Sequence, residues 1–198
     1  MSEQRINTEA KIEKLLAHRW SPRAFDADRA VDESALTTCL EAARWAPSCF
    51  GDEPWRFLVC NRFNNEETWR KLLNCLAPKN QLWAGKAPVL ILACADSQFS
   101  HNDNPNRWGQ YDTGAAAISL CLQATALGLI SHQMGGFDSD ATAEAFSIPQ
   151  RFVPMSVIAL GYQGDVSTLD EGFQSGEAAD RMRKKMQDIV FHDNWRST

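Results

Sequence analysis

The chain has 198 residues, 23% charged and 44% hydrophobic, with a formal net charge of -5. That balance suits a single folded domain over residues 1–198, or a subunit whose core continues into a partner, and excludes both a disordered chain and the basic footprint of a nucleic-acid binder. The N-terminus is polar and no apolar run approaches the ~20 residues that cross a bilayer, so a cytoplasmic protein with no membrane partner is expected.

A first helix is expected from Thr8, a capping residue, to His18, with Ile12, Leu15 and Leu16 as a short apolar stripe. Arg19-Trp20-Ser21-Pro22-Arg23 interrupts it, and a second helix starts at Asp32 with Leu36, Cys39, Leu40 and Ala43 at helical spacing. Pro47 and Pro54 then bracket a polar loop at 48–53 that leads into a strand at 55–60. Asn65 caps a third helix, with Glu66 and Glu67 at its positive end and Trp69, Leu72, Leu73 and Leu76 along its stripe.

Residues 88–95 are apolar throughout, the pattern of a strand covered on both faces. Residues 97–110 are polar and read as a mobile, lid-like loop. A helix over 112–127 is apolar nearly all round, and in a subunit this small the natural cover for its second face is another copy. A short strand at 130–134, a turn at 135–138 and a short helix ending before Pro149 follow. The last strong strand is at 155–161, and a final helix is expected to carry Arg181, Arg183, Lys184 and Lys185. Strands alternate with helices, which predicts a sheet covered on both faces.

Familiar catalytic motifs are absent. There is no Walker motif, no G-x-S-x-G and no H-E-x-x-H, and His18, His101, His132 and His192 lack metal-ligand spacing. Six cysteines form no C-x-x-C pair, so neither zinc nor disulfides are expected. With few acid–base candidates, a bound cofactor is the natural source of reactivity.

Three stretches stand out, each with two readings. Arg19, Ser21 and Arg23 form a solvated basic turn or a forked grip on a phosphate. The loop at 48–53, with Gly51, is a stiff helix-to-strand connection or a close approach to a ligand. Gly135 and Gly136 make a simple tight turn or a bed of backbone N–H groups for a flat ligand.

Together these segments resemble the nitroreductase family of FMN-dependent oxidoreductases over nearly the whole chain. The landmarks are Arg-x-Ser-x-Arg-x-Phe from Arg19, Ala46-Pro47-Ser48 with Pro54-Trp55, Lys86-Ala87-Pro88, and Asp112-x-Gly114-Ala115-Ala116. Gly128-Leu129, Gly135-Gly136-Phe137-Asp138, Gly161-Tyr162 and Arg181-x-Arg183-Lys184 complete the order. The resemblance implies an α+β fold: an αβα sandwich with a mixed central sheet, forming a homodimer with a shared core and two FMN sites at its interface.

By the same resemblance, Arg19, Ser21 and Arg183 hold the FMN phosphate and ribityl chain, and Arg23 lies near the pyrimidine end of the flavin. Pro47, Ser48 and Cys49 come from the other subunit, with Gly51 in the same loop. Gly135 and Gly136 offer backbone N–H groups to the ring edge that accepts hydride, and Trp20, Asn80 and Met134 complete the set. The implied reaction is NAD(P)H oxidation coupled by a ping-pong cycle to a small electron-poor acceptor, a nitroaromatic, quinone or enone. The flavin carries the chemistry, and no catalytic side chain or metal is implied. Two alternatives share the scaffold: an enzyme using reduced flavin with oxygen or degrading flavin, and a flavin-binding sensor without turnover. Gly51 and Glu53 stand where many family members carry Asn and Gln.

Overall fold

Alternating apolar residues place the core on both faces of one sheet. The computed structural model describes Ile6 and residues 8–195, and every residue of strand β2 (Val89–Asp96) is buried. Strands β1 (Trp55–Asn61), β3 (Ile130–Met134) and β4 (Phe152–Gly161) join it in the order β1-β2-β4-β3. Successive side chains point to opposite faces. Leu90 and Leu92 of β2, with Val157 and Ala159 of β4, pack with Trp69, Leu72 and Trp83. Those three come from helices α3 (Glu66–Asn74) and α4 (Pro78–Ala84). Val89, Ile91, Ile158 and Leu160 face the other way, against helices α2 (Glu33–Arg44) and α5 (Gly109–Ala126). The result is a sheet covered on both faces, as the pattern predicts, in the α+β sandwich that the resemblance implies. Helices α1 (Lys14–His18), α6 (Ser139–Ala145) and α7 (Glu171–Ala178) complete the framework.

Several expectations are corrected. All three strand pairings are antiparallel, so the sheet of the described residues is not mixed. The connecting helices turn the chain back along its neighbour instead of carrying it over to the end from which it started. Pro154 is tolerated in β4 because β3 pairs only with Val157–Gly161, leaving one side of Pro154 without a neighbouring strand. Helix α1 is five residues long and buries none of them, so its expected first half, from Thr8, has no apolar surface to pack on.

The expected C-terminal helix over Arg181–Lys185 is also absent. α7 ends at Ala178, and the chain from 179 to 185 is non-helical. Four cations in five residues repel at helical spacing and leave no apolar stripe to bury. The loop at 97–110 is pinned, not lid-like. The Asp96 carboxylate accepts from Arg151 Nε at 2.9 Å and Nη2 at 2.8 Å, Asn106 N–H donates to Ser97 O at 2.7 Å, and Gln98 bridges Pro105. Among the described residues no helix is long and apolar enough to cross a membrane.

Candidate functional site

The arginine turn follows directly from the end of α1. Arg19 caps that helix in an extended conformation, and its Nη1 lies 3.4 Å from Ser21 Oγ. Trp20, like Arg19 and Ser21, is half-buried. Arg23 is held from behind by α7: its backbone N–H donates to Glu177 Oε1 at 3.0 Å, and its guanidinium lies 3.7 Å from the same oxygen. Burial pushes the Glu177 carboxyl above its ordinary value, against the pull of the Arg23 and Ala24 amides and the Arg23 charge. The Arg23 guanidinium also lies over the rings of Trp83, at 5.9 Å, and Phe173, at 5.8 Å.

The tail supplies a partner of Arg19 through Arg181. Arg181 Nη1 donates to Arg19 O at 2.8 Å, and Nη2 donates to Ala17 O. Burial, with the neighbouring Arg19 and Arg183 charges, pushes Arg181 below its ordinary value. Its Nε is buried with no hydrogen-bond partner, and among the described residues no ion pair involves Arg19, Arg181 or Arg183. Arg183 itself is exposed, donating only to the adjacent Met182 O at 2.7 Å. Three guanidiniums within electrostatic reach, with no carboxylate of the described residues paired to them, make a site that an anion would complete. The sequence names Arg181 as part of the Arg181-x-Arg183-Lys184 landmark but gives it no site role, since an expected helix there hides which cation turns back toward Arg19.

β3 carries the second part of the site. Met134, buried, ends the strand opposite Val157, and the chain then turns through Gly135 and Gly136. Gly136 O accepts from Ala77 N at 2.9 Å and from Asn80 Nδ2 at 3.0 Å, so Asn80 of α4 staples the turn. A Cβ on Gly136 would sit 2.8 Å from that Asn80 nitrogen, whereas one on Gly135 would meet nothing within 4 Å. Neither glycine is at positive φ. Among the described residues no hydrogen bond of the turn uses either N–H, so both remain available to a ligand.

His132, two residues earlier, lacks metal-ligand spacing in the sequence but packs against the arginine turn. Its ring lies 4.5 Å from that of Trp83, and Nδ1 is 3.1 Å from Pro22 O. Burial lowers it to about 4, against the Pro22 bond and with help from Arg23 and Arg19, so it is neutral near pH 7. A carbonyl only accepts, so Nδ1 carries the proton of the neutral ring.

The loop after α2 is a different construction. Pro47 is exposed, Ser48 and Cys49 are half-buried, and Cys49–Gly51 forms a single 3-10 turn. Cys49 N–H donates to Asp112 Oδ2 at 2.9 Å, and Ser48 Oγ accepts from Glu53 N–H at 3.0 Å. Phe50, Gly51 and Glu53 all lie in the left-handed region, at φ of 57°, 65° and 50°. Asp52, whose side chain is 2% exposed, accepts from Ser100 N–H at 2.8 Å, Ser100 Oγ at 2.6 Å and Asn106 Nδ2 at 3.3 Å.

The single chain therefore brings Arg19, Ser21, Arg23, Asn80, Met134, Gly135 and Gly136 into one region and leaves the 48–53 loop elsewhere. The loop is tied to the first turn of α5 at Asp112, while the Arg19 charge is felt nine residues later, at Cys121. At 1.5 Å per residue that separation is about 13 Å. α5 also keeps an uncovered stripe: Tyr111 is 74% exposed and Ile118 39%, with Gly114 exposed between them.

A sequence model of the Nitroreductase family matches residues 16–162. A protein of Methanothermobacter thermautotrophicus, whose name proposes NADH dehydrogenase or NAD(P)H nitroreductase activity, is 31% identical over 169 residues, covering 81% of this chain and 84% of that protein. A crystal structure of an FMN-containing oxidoreductase superposes with a TM-score of 0.90 at 31% identity, over the whole of both chains. A Desulfovibrio desulfuricans protein solved in complex with FMN shares the fold at a TM-score of 0.72 and 23% identity, over 96% of this chain and all of the other.

Proposed function

The chain belongs to the nitroreductase family, and on that premise we propose that it is an FMN-dependent oxidoreductase that oxidises NAD(P)H and reduces a small electron-poor acceptor. The observation that carries the reading is the carboxylate-free cluster of Arg19, Arg181 and Arg183, with the buried Arg181 Nε lacking a partner. A terminal phosphate suits that cluster in charge and in hydrogen-bonding capacity. FMN ends in one such phosphate, and the sequence has no G-x-G-x-x-G turn for a dinucleotide.

When bound, FMN would supply the centre that takes hydride from NAD(P)H and passes it to nitroaromatics, quinones or enones. The chain's own residues bind and orient. Arg19, Ser21 and Arg181 hold the phosphate end, with Arg183 adding positive charge. Arg23, backed by Glu177, brings a cation to the ring, where it favours added negative charge. The unused N–H groups of Gly135 and Gly136 hold the ring edge, at a spacing maintained by Asn80. Trp20 and Met134 line the cofactor, and Trp83 anchors the arginine turn from within the core.

The working unit in this reading is a homodimer. The uncovered stripe on α5 supports a second copy as its cover, and the tie of the 48–53 loop to the first turn of α5, beside that stripe, supports placing the loop, with Pro47, Ser48, Cys49 and Gly51, in the partner's site. The test is spectroscopic. Purified protein should be yellow, release FMN on denaturation, bleach anaerobically with NADH or NADPH, and regain its colour with an added quinone. A colourless protein that fails to bind FMN would overturn the reading.

A further inference from the structure

Behind Arg23 the fold buries a carboxylate. Glu177 is the last acidic residue of α7, and its side chain is 2% exposed, a rare place for a charged group. Its Oε1 accepts the Arg23 backbone N–H at 3.0 Å and stands 3.7 Å from the Arg23 guanidinium, and the carboxyl also accepts from the next amide, that of Ala24. One side chain therefore does two separable things. Accepting from two consecutive amides of the arginine turn requires only an oxygen, which a neutral side chain of the same shape supplies. Offsetting the charge of Arg23 requires a carboxylate. Burial opposes ionisation of the Glu177 carboxyl, so the fold bears a cost that glutamine would avoid at the same position.

The guanidinium is confined on its other sides. The rings of Trp83 and Phe173 lie 5.9 and 5.8 Å from it, and a Cβ on Gly176 would come within 3.8 Å of its Nη1. Trp83 is fixed in turn by Phe25, stacked at 6.2 Å, and by His132 at 4.5 Å. His132 is neutral near pH 7, and among the described residues Arg23 makes no ion pair except that with Glu177. The Arg23 side chain keeps 33% of its surface open, so a ligand can still reach it.

We propose that Glu177 is a positioning residue that sets the reduction potential of the bound flavin: it holds the Arg23 cation at the ring and offsets part of its charge. The proposal rests on the function given above and fixes the redox poise of that same site. Hydride transfer from NAD(P)H to a neutral ring leaves NAD(P)+ and one added negative charge on the flavin, so a neighbouring cation favours the reduced form over the oxidised one. A carboxylate beside that cation weakens its field at the ring. Glu177 thereby keeps the flavin harder to reduce, and once reduced a stronger donor, than Arg23 alone would make it.

The test compares Glu177→Gln, which keeps an oxygen for the two amides and removes the charge, with Glu177→Ala, which removes both. Affinity of the apoprotein for oxidised FMN is measured by titration, and the potential of the loaded protein by anaerobic equilibration with reference dyes. Glu177→Gln should bind oxidised FMN within about threefold of wild type, while its preference for reduced flavin should rise roughly tenfold, about 30 mV for a two-electron couple. Glu177→Ala should in addition lose FMN affinity, about tenfold, as the turn loosens. An unchanged or lowered potential in Glu177→Gln would show that the carboxyl only fastens the backbone. Should that variant not fold, the Arg23→Gln variant and the double variant Arg23→Gln with Glu177→Gln, which retains no buried charge at either position, decide the matter: the first should lie below wild type in potential and the second above the first. No rise between those two would overturn the proposal while leaving FMN-dependent turnover standing. Wild-type protein that neither binds FMN nor oxidises NAD(P)H would overturn the proposed function, and this assignment with it.

Discussion

The arginine turn at 19–23 and the loop at 48–53 are both assigned to the proposed site, and the chain holds them by opposite means. The first rests on the core: Arg23 lies over Trp83, which is 1% exposed, His132 packs on the same ring, and Glu177 fastens the backbone from α7. The second has no buried apolar side chain between Pro47 and Glu53 and depends on hydrogen bonds to Asp112 and Asp52 and on strained backbone. A region built on the core keeps its position when its own surface residues change. A polar clamp fails as a unit, and it can be moved as a unit onto another surface. That contrast suits a site in which one half is built in place and the other is delivered to a neighbour.

The largest effect should come from attacking the anion cluster on the core-backed side. Arg181→Glu places a carboxylate among Arg19 and Arg183, and FMN affinity should drop at least ~100-fold, about 3 kcal/mol, the scale of one or two charge-assisted hydrogen bonds. Flavin titration of the apoprotein measures it. Arg183→Glu, at an exposed position, should cost less, and the reverse order would return the phosphate to Arg183.

Next in size is a pH effect confined to the same half. His132 has a folded value of about 4 against an ordinary 6.5, so between those limits the unfolded chain binds more protons than the folded one. Its contribution is full above pH 6.5 and is lost as pH falls toward 4, by up to about 3 kcal/mol. Glu177, raised by burial, has the opposite pH dependence, so the informative quantity is the difference between wild type and His132→Gln. Chemical denaturation across that window should show the wild type losing more stability than the variant. Parallel curves would mean the ring is solvated.

The smallest effect separates two glycines. Gly136→Ala and Gly51→Ala should each cost about 1 kcal/mol, the first by displacing the Asn80 hydrogen bond and the second through a positive φ. Asn tolerates the left-handed region, so Gly51→Asn should recover most of the loss, whereas Gly136→Asn should not. Recovery at both positions would show that backbone angle matters in both turns.

What the sequence disclosed follows from the range of the forces involved. The apolar run of β2, the Asn65 cap and the stripe of α3 are local patterns, and they appear where periodicity puts them. Asn80 beside Gly136 was reached through the family resemblance alone, since no local pattern joins residues 56 positions apart. Arg181, His132 and Asp52 escaped because their roles come from long-range contacts: a tail folded back on α1, a strand laid against Pro22, and a loop pinned to residues 100–106. Helix α4 escaped because Pro78–Ala84 is too short to show a full apolar stripe. The left-handed angle at Phe50 has no signature in a residue that usually avoids it.

The division of the site between two chains is tested most directly by complementation. Arg19→Glu repels the phosphate and Ser48→Phe disrupts the clamped loop, so each should be inactive as a homodimer. In a mixed dimer whose sites each draw Arg19 from one chain and Ser48 from the other, both lesions fall in one site and the second site is intact. Random exchange makes about half the dimers mixed, so roughly a quarter of all sites should regain NAD(P)H oxidation. Mass-tagged subunits verify that exchange has occurred. Recovery near that fraction is the predicted result; complete exchange with no recovered activity would show that each site is built from a single chain.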